Sequence, residues 1–140
     1  MHSWTSSSAE ETRSIGKAIG EKLNTGSVVA LTGDLGSGKT TLINGLVSVF
    51  GIQGSQVSSP TFSIVNAYEG QVPVYHFDFY RIDDVRELWD IGIEEYWLLP
   101  GIKLIEWAEK CPEVLPAVHY RIHLTGTGDE PRTISLSEPG

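Results

Sequence analysis

The chain has 140 residues and a formal net charge of −8, which speaks against unaided nucleic-acid binding, because that needs a basic face to displace counterions. Its single cysteine, Cys111, excludes an internal disulfide and any multi-cysteine zinc site. No apolar run approaches the roughly eighteen residues of a membrane span, and the N-terminus shows no basic-then-apolar leader, so the expectation is a cytoplasmic protein without a membrane segment. Four Trp, five Tyr and four Phe supply material for a core. Residues 1–140 are expected to form one domain that buries about two thirds of its unfolded surface.

In chain order, Ser8-Ala9-Glu10-Glu11 has the spacing of a capping box, and Ile15, Ala18, Ile19 and Leu23 continue as a helical apolar stripe. Thr12 lies near the start of that helix, where it could reach a nucleotide base, although spacing alone turns it toward solvent. The helix should end at the turn Asn24-Thr25-Gly26. Residues 27–32 then read as a short buried strand. Gly33-Asp34-Leu35-Gly36-Ser37-Gly38-Lys39-Thr40 follows and fits G-x-x-x-x-G-K-[ST], the phosphate-binding P-loop. The glycines, with Ser37, turn backbone N–H groups around a phosphate. Lys39 reaches the β/γ-phosphates, and the Thr40 hydroxyl joins a Mg²⁺ shell. Leu42, Ile43, Leu46, Val47 and Phe50 recur at helical spacing behind it, and Gly51 suits the helix C-cap. Strand, loop and helix thus come in the order that aims a helix N-terminus at an anion.

Beyond a Gly/Ser/Gln stretch, Phe62, Ile64 and Tyr68 suggest a strand, Glu69-Gly70-Gln71 a turn, and residues 72–79 a second strand. Alternation places Val74, His76, Asp78 and Tyr80 on one face, with Tyr75, Phe77 and Phe79 on the other. Val85, Leu88 and Trp89 suit a short helix. Residues 102–105 form another buried strand that delivers Glu106 and Trp107. Val118, Tyr120, Ile122 and Leu124 alternate as a half-exposed strand, and residues 133–137 make the last one. The expected fold is a three-layer α/β P-loop domain with a mixed, partly antiparallel sheet.

A nucleoside triphosphatase also needs a carboxylate for its metal and a group for the attacking water. Asp78 and Glu106 each follow a short apolar strand, so both are candidates, and spacing does not say which takes which role. The plainer readings are an N-cap or an ion pair with Arg81 for Asp78, and for Glu106 an N-cap of a helix begun by Trp107. His76 reads as a half-buried, hydrogen-bonded side chain. Thr61 stands in a loop ahead of a strand, where GTPases keep a switch threonine that senses the γ-phosphate. GTP itself is disfavoured, since no N-K-x-D guanine reader occurs. Between Lys39 and Arg81 there is no lysine or arginine, and Asp83, Asp84, Glu87, Asp90, Glu94 and Glu95 are interrupted only by Arg86. That run is either a solvated face or a docking surface for a basic partner.

Five segments resemble the TsaE (YjeE) family in order and spacing: the P-loop extended to Thr41, Ser59-Pro60-Thr61-Phe62, His76-x-Asp78-x-Tyr80-Arg81, Gly92-Ile93-Glu94-Glu95-Tyr96, and Glu106-Trp107. The resemblance implies a bacterial ATPase that uses ATP and Mg²⁺ and is needed to form N6-threonylcarbamoyladenosine beside the anticodon of tRNA. It implies a subunit that binds TsaD and TsaB and meets tRNA only through that complex, without itself transferring the threonylcarbamoyl group. By position, Gly36, Ser37, Gly38, Lys39, Thr40 and Thr41, with Thr12 and Trp107, would bind the nucleotide. Thr40 and Glu106 would hold Mg²⁺, Asp78 would serve the attacking water, and Thr61 would belong to a switch loop. A small P-loop kinase is the alternative. It would need a lid and more cations on the transferring phosphoryl than Arg81 and Arg86 offer. A non-hydrolysing nucleotide sensor would have no need of both acids.

Overall fold

β-branched runs alternate with amphipathic ones along the chain, and they assemble as three layers about one mixed sheet. The structure is a computed structural model that describes residues 1–33, 38–57, 64–126 and 130–139. Gly36, Ser37, Thr61 and Phe62 therefore lie outside the described residues.

The elements, in order, are β1 (His2–Ser6), α1 (Ala9–Gly20), β2 (Val28–Gly33), α2 (Lys39–Ser48), β3 (Val65–Tyr68), β4 (Val74–Asp78), α3 (Arg86–Asp90), α4 (Ile93–Leu98), β5 (Ile102–Glu106), β6 (Tyr120–Thr125) and β7 (Arg132–Ser137). Three short 3₁₀ turns stand between them. The sheet order is β1-β7-β6-β2-β5-β4-β3. The central strands β6, β2, β5 and β4 run parallel, while β3, β7 and β1 pair antiparallel toward the edges. The three-layer, mixed-sheet P-loop fold expected from the sequence is the one observed.

Strand alternation sorts the core in two. Val29, Leu31, Val74, Leu104 and Ile122 face α1 and α2, where they meet Ile15, Ile19, Leu42, Ile43 and Leu46. Val28, Ala30, Phe77, Phe79 and Ile105 face the other way, onto Leu88 of α3 and Ile93 of α4. The Ser8 side chain caps α1 by accepting from the Glu11 backbone N–H at 3.0 Å, as the capping-box spacing predicts. Two elements escape the sequence reading. β1 has a single large apolar residue, Trp4, and gains its strand character from the ladder with β7. α4 is only six residues long, too short for a periodic signal.

α1 and α2 cross in close contact, and glycine permits it. A Cβ built on Gly45 would collide with the Arg13 carbonyl oxygen, and one on Gly16 with that of Leu42. Gly45→Ala must push the helices apart against a packed core, which is expected to cost roughly 2–3 kcal/mol despite alanine's better helix propensity. The melting temperature should fall by about 6–12 °C. An unchanged melting curve would show that the crossing has slack.

Candidate functional site

The parallel strands end along one edge of the sheet, and the chemistry-bearing residues sit there. β2 ends at Gly33, the first residue of the P-loop motif. Asp78 and Glu106 are direct register partners at the ends of β4 and β5, and Glu106 also pairs with Leu31 of β2. In open α/β sheets this carboxyl edge is where ligands bind. Gly38 caps α2 with φ 96°, a left-handed conformation that favours glycine. Lys39 and Thr40 open α2 behind it, so the helix N-terminus points its unpaired N–H groups at the same edge.

Lys39 is 6% exposed. Its ammonium donates to the Gly33 carbonyl at 3.0 Å and lies 3.8 Å from the centre of the Trp107 ring. Trp107 has φ 57°, the one positive value at a non-glycine residue among the described residues. Bulky residues rarely adopt such a backbone, and here it turns the indole over the lysine. The ring of Tyr80 leans on the indole with centroids 4.9 Å apart, and Lys110 donates to the Tyr80 carbonyl at 2.7 Å.

Asp78 accepts a 2.9 Å bond from the Tyr80 backbone N–H. Partial burial raises its carboxyl above the ordinary range, and the negative charge of Glu106 adds to the rise, against the Tyr80 bond and the charges of His76 and Lys39. Glu106 is 4% exposed and accepts from His76 Nε2 at 2.6 Å. It does not serve as the N-cap that the plainer reading assigned it: the next element is a 3₁₀ turn, Ala108–Lys110, with Trp107 in the cap position. His76 is fully rather than half buried, at 1% exposure, because β3 and β5 flank its strand.

Thr12 corrects the sequence reading. It is 3% exposed rather than solvent-facing, because β1 folds back along α1. Its hydroxyl lies 2.7 Å from that of Ser6 and 3.1 Å from the Ser8 carbonyl. Thr12, Gly38 and Thr41 border a cavity of about 290 Å³ lined also by residues 6–9 of the N-terminal segment and by Glu130 and Arg132. Ser6, Glu130 and Arg132 carry no motif, and only the unrecognised pairing of β1 with β7, Ser6 opposite Arg132, brings them together.

The TsaE family model, described as "Threonylcarbamoyl adenosine biosynthesis protein TsaE", matches residues 6–134, a span that runs from Ser6 past Arg132. The chain belongs to the TsaE family. It is similar to the tRNA threonylcarbamoyladenosine biosynthesis protein TsaE of Bacillus subtilis (strain 168), with 39% identity over 138 residues, 98% of this chain and 85% of that protein. The protein of the same description from Nostoc sp. is 43% identical over 126 residues, covering 86% of this chain and 75% of its own length. The crystal structure of Bacillus subtilis YdiB superposes with a TM-score of 0.79 at 33% identity, covering 99% of this chain and 86% of that one. TsaE membership and the P-loop fold together imply a nucleotide-binding role.

Among the described residues no group of three or more His, Cys, Asp and Glu gathers to hold an ion alone. The oxygen donors at the edge, the hydroxyl of Thr40 and the carboxylates of Asp78 and Glu106, fit Mg²⁺ bound with nucleotide phosphates. That ion takes few protein ligands and keeps water and phosphate oxygens.

The raised Asp78 value has a stability consequence. The folded state holds this proton more tightly than the unfolded chain, so stability falls as pH rises from 3.8 through the folded value. The deficit persists at neutral pH. Asp78→Asn removes the charge and keeps an oxygen for the Tyr80 N–H. The variant is expected to melt above the wild type at pH 7 in metal-free buffer, with the gap closing below about pH 3.8. Equal melting temperatures at pH 7 would show that the carboxylate is held there without cost.

Proposed function

We propose that this chain is an ATP-binding, Mg²⁺-dependent ATPase subunit that supports TsaD and TsaB in forming N6-threonylcarbamoyladenosine beside the anticodon of tRNA, in the cytoplasm. What carries the reading is the gathering of Lys39, Asp78 and Glu106 at one sheet edge of a TsaE-family chain. Lys39 would engage the β/γ-phosphates, with Gly36, Ser37, Gly38 and Thr41 supplying the rest of the cradle. Thr40 and Glu106 would hold Mg²⁺, which when bound offsets negative charge on the phosphates. Asp78, beside Glu106, would orient the attacking water, and Thr61 would act in the switch loop. The cavity at Thr12 would receive the nucleoside end, while Trp107 keeps the lysine in place.

The names of the similar proteins from Bacillus and Nostoc place them in tRNA threonylcarbamoyladenosine biosynthesis, and this chain, treated as one domain over 1–140, would act there through protein partners. The docking face we assign to α3 and α4. Asp83, Glu87, Asp90, Glu94 and Glu95 are exposed there, and so are Trp89, Ile91, Leu98 and Leu99. Apolar side chains set among carboxylates suit a partner with apolar contacts ringed by Lys and Arg.

The test is calorimetric titration with ATP in the presence and absence of Mg²⁺, followed by co-purification with TsaD and TsaB. Expected are saturable ATP binding strengthened by Mg²⁺ and a complex that responds to nucleotide. No ATP binding, or no association in either nucleotide condition, would sink the reading.

A further inference from the structure

A chain of buried polar side chains crosses three adjacent strands. Tyr68 ends β3, His76 lies in the middle of β4, and Glu106 ends β5. The Tyr68 hydroxyl lies 2.9 Å from His76 Nδ1, and His76 Nε2 lies 2.6 Å from Glu106 Oε2. Tyr68, His76 and Glu106 are 7%, 1% and 4% exposed. The carboxylate can only accept, so Nε2 donates to it, and Nδ1 meets the tyrosine hydroxyl. The tyrosine thereby holds the ring in place, and the histidine holds the carboxylate.

We propose that His76, held by Tyr68, is a positioning residue that sets the orientation of the Glu106 carboxylate for the nucleotide-bound metal or the attacking water. This inference rests on the role given to Glu106 above. The chain borders apolar neighbours such as Val74 and Leu104, and replacing such buried ionic groups by well-packed apolar side chains of similar size is often neutral or stabilising. Stability alone therefore does not call for it. Glutamate has three rotatable bonds, and a site built on an untethered one is imprecise. A rigid imidazole anchored across two strands removes that freedom before the ligand arrives. Outer partners of metal-binding carboxylates typically change affinity or activity by about 10–100-fold when removed.

The test compares His76→Leu, His76→Gln, Tyr68→Phe and Glu106→Gln with the wild type in the full chain. Three quantities are read: the melting temperature, ATP affinity with and without Mg²⁺ by calorimetry, and kcat and KM for ATP with TsaD and TsaB present. His76→Leu is expected to lower kcat by about 10–100-fold and to abolish most of the gain in ATP affinity from Mg²⁺, with KM for ATP rising accordingly. Metal-free ATP affinity should stay as in the wild type. His76→Gln restores a donor to Glu106 and should recover most of both losses. Tyr68→Phe leaves the imidazole in place but removes the hydroxyl that holds its ring, and should lower kcat a few-fold, roughly.

A merely structural histidine would instead weaken ATP binding equally with and without metal, and that result overturns the proposal. So does wild-type kcat and Mg²⁺ response in His76→Leu, or a glutamine variant as impaired as the leucine one. If His76→Leu does not fold, wild-type kcat in Tyr68→Phe overturns it. Glu106→Gln separates the two levels: impaired Glu106→Gln beside normal His76→Leu defeats the positioning role alone. Normal kcat and Mg²⁺ response in Glu106→Gln defeats the role of Glu106 and this inference with it.

Discussion

Lys39→Ala is expected to weaken ATP binding by roughly five- to sixtyfold while leaving the fold intact. The Lys39 ammonium is almost fully withdrawn from water, held by the Gly33 carbonyl and the face of Trp107. A charge so placed has shed much of its hydration already, so a phosphate oxygen arriving there meets a strong donor. Charge-assisted bonds of this kind contribute about 1.5–3 kcal/mol, and each 1.4 kcal/mol is tenfold in affinity. Some of that is offset, because the lysine gives up its indole contact, about 0.5–2 kcal/mol, when it turns to the ligand. Lys39→Met serves as a control that keeps the apolar stem against Trp107 and removes only the charge. Both variants should melt near the wild-type temperature, since alanine and methionine are good helix formers at the start of α2. Calorimetric ATP affinity equal to that of the wild type, in a folded Lys39→Ala variant, would rule out the phosphate role.

Much of this site was legible in the sequence, for reasons particular to each part. The P-loop is contiguous, so its strand, glycines, lysine and helix can be read from spacing. Asp78 and Glu106 stood out because each follows a short apolar run, and the parallel register of β4 with β5 makes them neighbours. The alternation in β4 also held, with Val74 on one core and Phe77 and Phe79 on the other. Thr12 and His76 were misjudged in exposure because burial is set by non-local partners. A threonine at the start of a helix looks solvated until the strand just before it folds back over it, and nothing in His2-Ser3-Trp4-Thr5-Ser6 announces that strand. Trp107 shows the same limit in another form. Its place next to Glu106 was visible, but the positive φ that lays it over Lys39 belongs to the backbone of the folded chain.

Phosphate release by the isolated chain is expected to be slow, and saturating TsaD–TsaB should accelerate it by about a thousandfold or more. No lysine or arginine stands between Lys39 and Arg81 in the sequence, and Arg86 is committed to Asp84 at 2.7 Å. A transition state with charge spreading over phosphoryl oxygens needs cations, and an arginine supplied by a partner contributes on the order of 10³–10⁵ in rate. Docking would also exclude water from this edge and so strengthen every charge at it. The α3–α4 face offers the means to dissociate docking from chemistry. Glu94 and Glu95 are exposed in the first turn of α4, while Ile93 anchors that helix in the core. Glu94→Lys with Glu95→Lys should therefore weaken the complex and flatten its salt dependence, with ATP affinity of the free protein unchanged. Reversal also places two cations at a helix N-terminus, at a cost of about 0.3–1 kcal/mol each. The doubly neutral Glu94→Gln, Glu95→Gln variant controls for that and should lie between the two. The measurement is steady-state phosphate release with and without TsaD–TsaB across a salt series, alongside ATP titration of each variant. Stimulation that is absent in the wild type, or full-speed hydrolysis by the isolated chain, would show that the nucleotide cycle is not gated by partners. Stimulation undiminished by the charge reversal would move the docking face elsewhere on the surface.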